Sequence, residues 1–362
     1  MEKKPKIAVL MSGGIDSSFA AFYLKKQGFD ILGISFVHIG QEKQKKEIKK
    51  AKEIARTLSF PHVTFRIKNI FEKEVISFFC NSFQKGQTPN PCPFCNKKIK
   101  FGLLLKKASS LGAGKIATGH YVRLKKEFTG SKRITNYKIY RAKDKKKDQS
   151  YFLWQLCQKE MAKAIFPLGD FTKKQVFQGI KKSSLAKFFK EDEKKYQESQ
   201  DICFLGKKEL NTFLKKHLKE KEGLILNKKG ESIGKHKGIQ FLTIGQRTGL
   251  GILAKKPNQK PFYVIAKDKR KNIITIGPEK DLYQKSLIAE KINWTLGKEP
   301  ALPLGINVQI RYQQKPVRAI IKKNTKKDYK VEFETLQKAI TPGQHVVFYK
   351  KDLLLGGGVI KR

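Results

Sequence analysis

Two cysteines three residues apart lie in the run Thr88-Pro89-Asn90-Pro91-Cys92-Pro93-Phe94-Cys95-Asn96-Lys97-Lys98-Ile99-Lys100-Phe101. The prolines hold the chain extended, and Cys95 stands where a helix is expected to begin. A helix N-terminus and the flanking Lys97 and Lys98 both favour the thiolate, so Cys95 is a candidate nucleophile. Cys92-x-x-Cys95 is also half of a zinc site. No second pair at zinc spacing follows, so no closed structural metal site is expected. Cys203 lies between Ile202 and Phe204, and on those neighbours alone it reads as a buried hydrophobe, like Cys80 and Cys157. Five cysteines in 362 residues do not make a disulfide scaffold.

The second chemical signal is Leu10-Met11-Ser12-Gly13-Gly14-Ile15-Asp16-Ser17-Ser18. It follows an apolar strand and opens a helix. Two glycines let the backbone turn tightly and approach a ligand. Free N–H groups at the helix start and the hydroxyls of Ser12, Ser17 and Ser18 suit an anion. The run matches neither the Gly-Lys-Ser/Thr phosphate loop nor Gly-x-Gly-x-x-Gly. A plain turn with a serine cap would not need Asp16 between Gly14 and the serine pair.

The elements that must hold these residues alternate. Strands are expected at 6–11, 30–37, 62–67 and 115–118, and helices at 17–27, 41–58, 71–83 and 97–111. That order predicts an α/β domain with a parallel sheet covered on both faces. Residues 151–169 and 181–200 read as further helix. From about Lys207 the pattern changes to short strands with turns, and the last 85 residues or so alternate at period two, as in a small β-barrel. The expected units are 1–206, 207–277 and 278–362.

Lys and Arg number 78 against 31 Asp and Glu, a net charge of +47. Such a field attracts polyanions, nucleic acid first, although a lysine-rich composition alone would also produce it. No apolar run is long enough to cross a membrane, and the N-terminal run breaks at Gly13-Gly14, too soon for a signal peptide. A cytoplasmic protein is expected.

Ser-Gly-Gly-x-Asp-Ser resembles the pyrophosphatase loop of ATP-dependent adenylating enzymes, which hold ATP phosphates and release pyrophosphate. Further motifs follow in order: Thr-Pro-Asn-Pro-x-x-x-Cys-Asn-Lys-x-Ile-Lys-Phe, Ala117–Tyr121, Lys147–Leu153, Asp201–Phe204, Gly245–Gly251 and Thr341–Gln344. Over essentially its whole length the chain is similar to the bacterial tRNA-specific 2-thiouridylases. The resemblance implies an adenine-nucleotide α-hydrolase-like domain, a small central domain and a C-terminal β-barrel. It implies 2-thiolation of the wobble uridine of Lys, Glu and Gln tRNAs, with ATP and Mg²⁺. Sulfur would come as a persulfide from a cysteine desulfurase or a relay protein.

The same resemblance implies residue roles. Leu10, Met11, Ser12, Gly13, Gly14, Ile15, Asp16, Ser17, Phe36 and Gly119 would bind ATP, with Asp16 near the Mg²⁺. Cys95 would be the nucleophile and Cys203 the persulfide carrier, ending as a Cys95–Cys203 disulfide. Asn90, Pro91, Cys92, His120, Lys147, Asp148, Gln149, Arg311, Tyr312 and Gln344 would contact tRNA. His120 and Phe36 also read as ordinary packing residues. One departure stands out: many members have Asp where this chain has Cys92, and a thiol cannot serve as a carboxylate base. Cys92 would then be an alternative disulfide partner, or a third ligand with Cys95 and Cys203 for an iron–sulfur cluster. The rival functions are another adenylating enzyme acting on a different nucleoside or small molecule, a non-enzymatic RNA-binding protein, and a metal-binding regulator.

Overall fold

The computed structural model describes residues 5–129, 134–190, 202–205, 210–250 and 261–361. Ser199, Gln200, Asp201, Gly251, much of the expected 181–200 helix and the expected junction at 206–207 lie outside the described residues.

β1 (Lys6–Leu10), β2 (Asp30–Val37), β3 (His62–Arg66), β4 (Lys115–Ala117) and β7 (Ala164–Ile165) form a five-stranded sheet in the order β3-β2-β1-β4-β7. Every pairing is parallel. Because successive strand side chains point to opposite faces, neighbouring residues enter different cores. Ala8, Leu10, Leu32 and Ile34 pack with α3 (residues 68–84) and α4 (residues 92–110). Ile7, Val9, Met11 and Ile31 pack with α1 (Ile15–Lys26), α2 (Glu42–Thr57) and α5 (Lys173–Lys181). The sheet is therefore covered on both faces, and the strand ends at Leu10 and Ala117 lead into the candidate site.

Residues 151–169 do not form the expected helix. They make a 3₁₀ turn at Ser150–Leu153, a short helix at Gln158–Met161, and β7. Their apolar side chains are buried by another unit rather than along one helix face. Tyr151 donates to the His345 carbonyl at 3.0 Å, and the Trp154 ring lies 5.4 Å from that of His345.

The central unit is a four-stranded sheet, β10-β11-β8-β9, built from β8 (Gly223–Leu226), β9 (Ser232–His236), β10 (Tyr263–Asp268) and β11 (Ile273–Gly277). Ile225, Val264, Ile274 and Ile276 form its core. The C-terminal strands are β12 (Tyr283–Trp294), β13 (Leu304–Gln309), β14 (Val317–Lys323), β15 (Asp328–Lys338), β16 (His345–Lys350) and β17 (Leu353–Ile360). They run in the order β12-β15-β14-β13-β16-β17, and β12 pairs with β17 to close a barrel. A hairpin from the first segment, β5 (Val122–Thr129) and β6 (Ile134–Arg141), joins the same sheet where Tyr140 meets Leu353.

The barrel grips the loop that leads into α4. Thr88 N–H donates to Pro342 O at 2.8 Å, and Gln344 Nε2 donates to Thr88 O at 2.8 Å. His345 Nε2 meets Asn90 O at 2.9 Å, and Thr88 Oγ1 lies 3.2 Å from Thr243 Oγ1 of the central unit. The close approach depends on Gly343, whose φ is +91° and whose Cβ would come within 2.7 Å of Gln87 Cβ. Gly343→Ala is expected to destabilise the protein by about 1–3 kcal/mol through strain and overpacking. A melting temperature unchanged from the parent in thermal unfolding would contradict this account of the clamp.

Candidate active site

Strand β1 ends in the glycine turn, and α1 starts from it with no side-chain cap. The serines brace the turn internally. Ser17 Oγ donates to Gly14 O at 3.0 Å and accepts from Ser12 N–H at 3.2 Å, while Ser18 Oγ donates to Gly14 O at 2.8 Å. Gly13 has φ +75°, and a Cβ there would strike the Glu47 carbonyl oxygen at 2.3 Å. The turn is thus pressed against α2. Leu10, Met11 and Ile15 bury their side chains in the cores, so only their backbone faces a ligand. Ser35 Oγ donates to Met11 O at 2.6 Å and is itself met by His62 Nε2 at 2.9 Å. Since Ser35 has already given its proton, His62 carries its own on Nε2 and is neutral. Burial pushes its pKa down to about 4.

Asp16, in the first turn of α1, accepts from Lys173 Nζ at 2.7 and 2.8 Å and from Tyr121 Oη at 2.7 Å. Lys173 is the first residue of α5 and is 8% exposed. Asp144, from the loop at 143–147, holds that helix start by accepting Lys173 N–H at 3.0 Å. Lys173 carries no sequence signal, because it sits among lysines of the same appearance and only the fold brings it to Asp16. Gly119 follows β4 and lies against the start of α1. A Cβ there would approach Ser17 N to 2.9 Å and Asp16 C to 3.0 Å.

The next residue, His120, leads from the glycine turn to Lys100 of α4. It is 9% exposed, and its Nε2 lies 3.3 Å from Lys100 Nζ. A lysine ammonium only donates, so Nε2 accepts, the proton sits on Nδ1, and Nδ1 donates to Thr118 Oγ1 at 2.6 Å. Burial, then the Lys100 charge, hold the His120 pKa well below its usual value. Packing against Phe101 and Phe166 completes its surroundings.

Lys100 is also the cation felt by Cys92, Cys95 and Cys203. The α4 rod begins with the turn Cys92–Cys95 and continues as a π-helix over Asn96–Leu104. Cys95 therefore closes the first turn rather than opening it. Its N–H bonds Pro91 O at 2.9 Å. Burial pushes the Cys95 thiol up to about 12 and the Cys92 thiol up to about 11. The expected acidification of Cys95 by Lys97 and Lys98 is thus corrected: desolvation outweighs the helix start, and Lys100 is the lysine whose charge opposes it. All five cysteines are free. Among the described residues, no three of His, Cys, Asp and Glu are placed to share a metal ion.

Aromatic packing anchors both cysteine segments. Phe94 stacks on Phe78 at 4.5 Å. Phe204, beside Cys203, meets Phe79 at 5.2 Å, Phe213 at 5.4 Å and Phe71 at 5.9 Å. Cys203 itself is exposed, not the buried hydrophobe its neighbours suggest, whereas Cys80 is buried. Phe36, at the end of β2, packs half-buried beside His38.

Of the residues expected to meet tRNA, several have structural partners. Asp148 is buried and holds Arg141 Nε and Ser150 Oγ, each at 2.9 Å, and Ala142 N–H at 2.9 Å. Its carboxylate is a strut that reaches barrel residue Tyr349 through Ser150. Gln149 Oε1 accepts Tyr121 N–H at 3.1 Å. Asn90 Oδ1 accepts Cys92 N–H at 3.0 Å, and Pro91 is buried beside it. Lys147 is half-buried in the same loop. Arg311 is exposed and donates to Ala339 O at 2.7 Å. Tyr312 lies 4.4 Å from Phe152, whose carbonyl accepts from Asn96 of α4 at 3.0 Å. The barrel thus reaches the residue next to Cys95.

Three family sequence models match the chain. They are described as the tRNA methyl transferase HUP domain over residues 5–207, the tRNA methyl transferase PRC-barrel domain over 211–278, and the aminomethyltransferase beta-barrel domain over 284–360. The chain is 39% identical over 375 residues to tRNA-specific 2-thiouridylase MnmA 2 of Thermoanaerobacter sp. (strain X514), spanning 100% of this chain and 99% of that one. It is 37% identical over 355 residues to tRNA-specific 2-thiouridylase MnmA of Syntrophomonas wolfei, spanning 98% and 99%. The corresponding protein of Clostridioides difficile (strain 630) is 37% identical over 370 residues, spanning 99% and 98%. With a matching model on each of its units and relatives alike from end to end, this chain belongs to the tRNA-specific 2-thiouridylase family.

Proposed function

We propose that the protein is an ATP-dependent tRNA sulfurtransferase that replaces O2 of the wobble uridine, U34, with sulfur in Lys, Glu and Gln tRNAs. The observation that supports this reading is a run of neighbours leading away from the glycine turn. Gly119 lies against the turn, the next residue His120 bonds Lys100, and the Lys100 charge lowers the Cys95 and Cys203 thiols against the rise that burial causes. This supports a reading in which the turn and the two thiols serve one reaction.

ATP is a substrate, its phosphates bound by the N–H groups at the start of α1 and the serine-braced turn. Asp16 offers the hard carboxylate oxygen that Mg²⁺ takes together with substrate phosphates, so the donor set fits that ion. Bound Mg²⁺ would offset charge on the leaving pyrophosphate. Lys173 holds the Asp16 carboxylate in place and adds a positive charge beside it. The uridine O2 attacks the α-phosphorus, pyrophosphate leaves, and C2 becomes electrophilic.

The terminal sulfur of a Cys203 persulfide then adds to C2. The Cys95 thiolate attacks Cys203 Sγ and breaks its bond to that sulfur. The freed electron pair completes the C2 thiocarbonyl and expels AMP, leaving a Cys95–Cys203 disulfide for a dithiol reductant to open. Lys100 stabilises whichever sulfur is anionic. Neutral His120 holds the ammonium by accepting from it. A wobble base is unpaired in the free anticodon loop and so is the least costly base to turn into such a site. Arg311 and Tyr312 suit phosphate contact and stacking respectively. The sulfur donor is a persulfide-bearing protein that reaches exposed Cys203, and the reaction belongs with the tRNA pool of the cytoplasm. No helix among the described residues is long and apolar enough to cross a membrane.

Nucleoside mass spectrometry of the anticodon loop, after incubation with ATP and a persulfide source, should reveal an oxygen-to-sulfur exchange at U34; an unmodified uridine would refute the assignment. Cys95→Ser and Cys203→Ser should each abolish thiolation while tRNA binding persists, whereas a non-enzymatic RNA binder would be indifferent to both. Lys173→Met should slow tRNA-stimulated pyrophosphate release by about 100-fold, the order seen when one preorganised donor is removed. Lys100→Met removes the charge that lowers the thiol pKa values, so the rising limb of the pH–rate profile should move to higher pH. A limb that stays put would show that Lys100 does not act on the reacting sulfur.

A further inference from the structure

Cys92 takes no part in the reaction as written, yet it stands in the same electrostatic environment as both reacting thiols. Cys92 and Cys95 are the first and last residues of a single helical turn. Residues at that spacing carry Cβ atoms about 5–6 Å apart. A disulfide needs Cβ atoms about 3.5–4.5 Å apart, so bridging these two requires the turn to tighten by about 1–2 Å. The turn is also well anchored. Asn90 holds the Cys92 N–H, Pro93 is buried, and Phe94 stacks on Phe78.

The three thiols differ in accessibility. Cys203 is exposed, while Cys92 and Cys95 are half-buried. A Cys95–Cys203 disulfide would tie the 202–205 segment to α4 and withhold the exposed sulfur from the next donor. Exchange onto Cys92 would return Cys203 to solvent and confine the oxidised pair to α4.

We propose that Cys92 is a resolving thiol, which attacks the Cys95–Cys203 disulfide at Cys95 and releases Cys203 to accept the next sulfur. This inference rests on the thiolation reading above. The Cys92 Sγ–Cys95 Sγ bond forms and the Cys95 Sγ–Cys203 Sγ bond breaks. The electron pair leaves with Cys203 Sγ, which takes up the proton lost by Cys92, so nothing is oxidised or reduced overall. A dithiol reductant then delivers two electrons and two protons to the Cys92–Cys95 disulfide, as the thiolation cycle already requires. The Lys100 charge favours the thiolate at each of the three cysteines and so assists each stage.

The test is a single turnover of the full-length protein, loaded with persulfide and given ATP and tRNA without reductant. The mixture is acid-quenched, alkylated and digested, and the peptides are mapped by mass spectrometry alongside the nucleosides. The parent protein should yield a Cys92–Cys95 disulfide peptide and alkylated Cys203. Cys92→Ser should instead accumulate the Cys95–Cys203 disulfide. Thiolated uridine accompanied by a Cys95–Cys203 disulfide and alkylated Cys92 in the parent would overturn the resolving role while leaving the enzyme assignment intact. Absence of thiolated uridine would overturn the assignment itself.

Discussion

The site depends on one close backbone approach. Gly119 at the end of β4 lies so near the first turn of α1 that a Cβ would come within 3.0 Å of two backbone atoms, Ser17 N and Asp16 C. That contact brings the anion-seeking end of one helix beside the residue that holds the thiol-facing lysine. His120 cannot leave its place without losing Thr118, and Lys100 cannot leave without losing His120. In the proposed reaction this short segment would let adenylation and sulfur transfer share one site.

Charge is organised locally within a chain of great positive excess. A net charge of +47 supplies a long-range field for a polyanion. Close to the reacting atoms the pattern is sparser. Lys173 holds Asp16, the Lys100 charge lowers three thiols, and two histidines near the glycine turn, His62 and His120, are kept neutral by burial. Burial alone would keep the thiols protonated, so the site opposes desolvation with a fixed ammonium. The π-helical stretch of α4, which carries Lys100, is the kind of irregularity that recurs at functional sites.

The barrel acts on the chemistry through the loop before α4. Pro342, Gln344 and His345 hold Thr88 and Asn90, and Asn90 in turn holds the N–H of Cys92. Tyr312 reaches Asn96 by way of Phe152. A second path runs from Asp148 through Ser150 to Tyr349. A polyanion lying on the barrel would therefore press on the same elements that hold the cysteines.

The sequence alone determined what depends on residue type and short-range spacing. The apolar strands β1 to β4 and the helices between them follow from periodicity, and the glycine turn follows from Gly13-Gly14 placed between a strand and a helix start. The motif series, read together, pointed to the family. Only the tertiary structure decided what depends on distance between remote residues. Residues 151–169 look helical by composition, but barrel residues His345 and Tyr349 bury them as irregular chain. Cys203 looks like a core residue between Ile202 and Phe204, yet Phe204 goes into the core with Ile202 packed against it, while Cys203 is exposed. Lys173 resembles any other lysine in a lysine-rich chain, and the motif that contains Lys100 does not say that it meets His120. Each differs in what stands beside it, because a charge acquires its role from the dielectric and the partners that folding places around it.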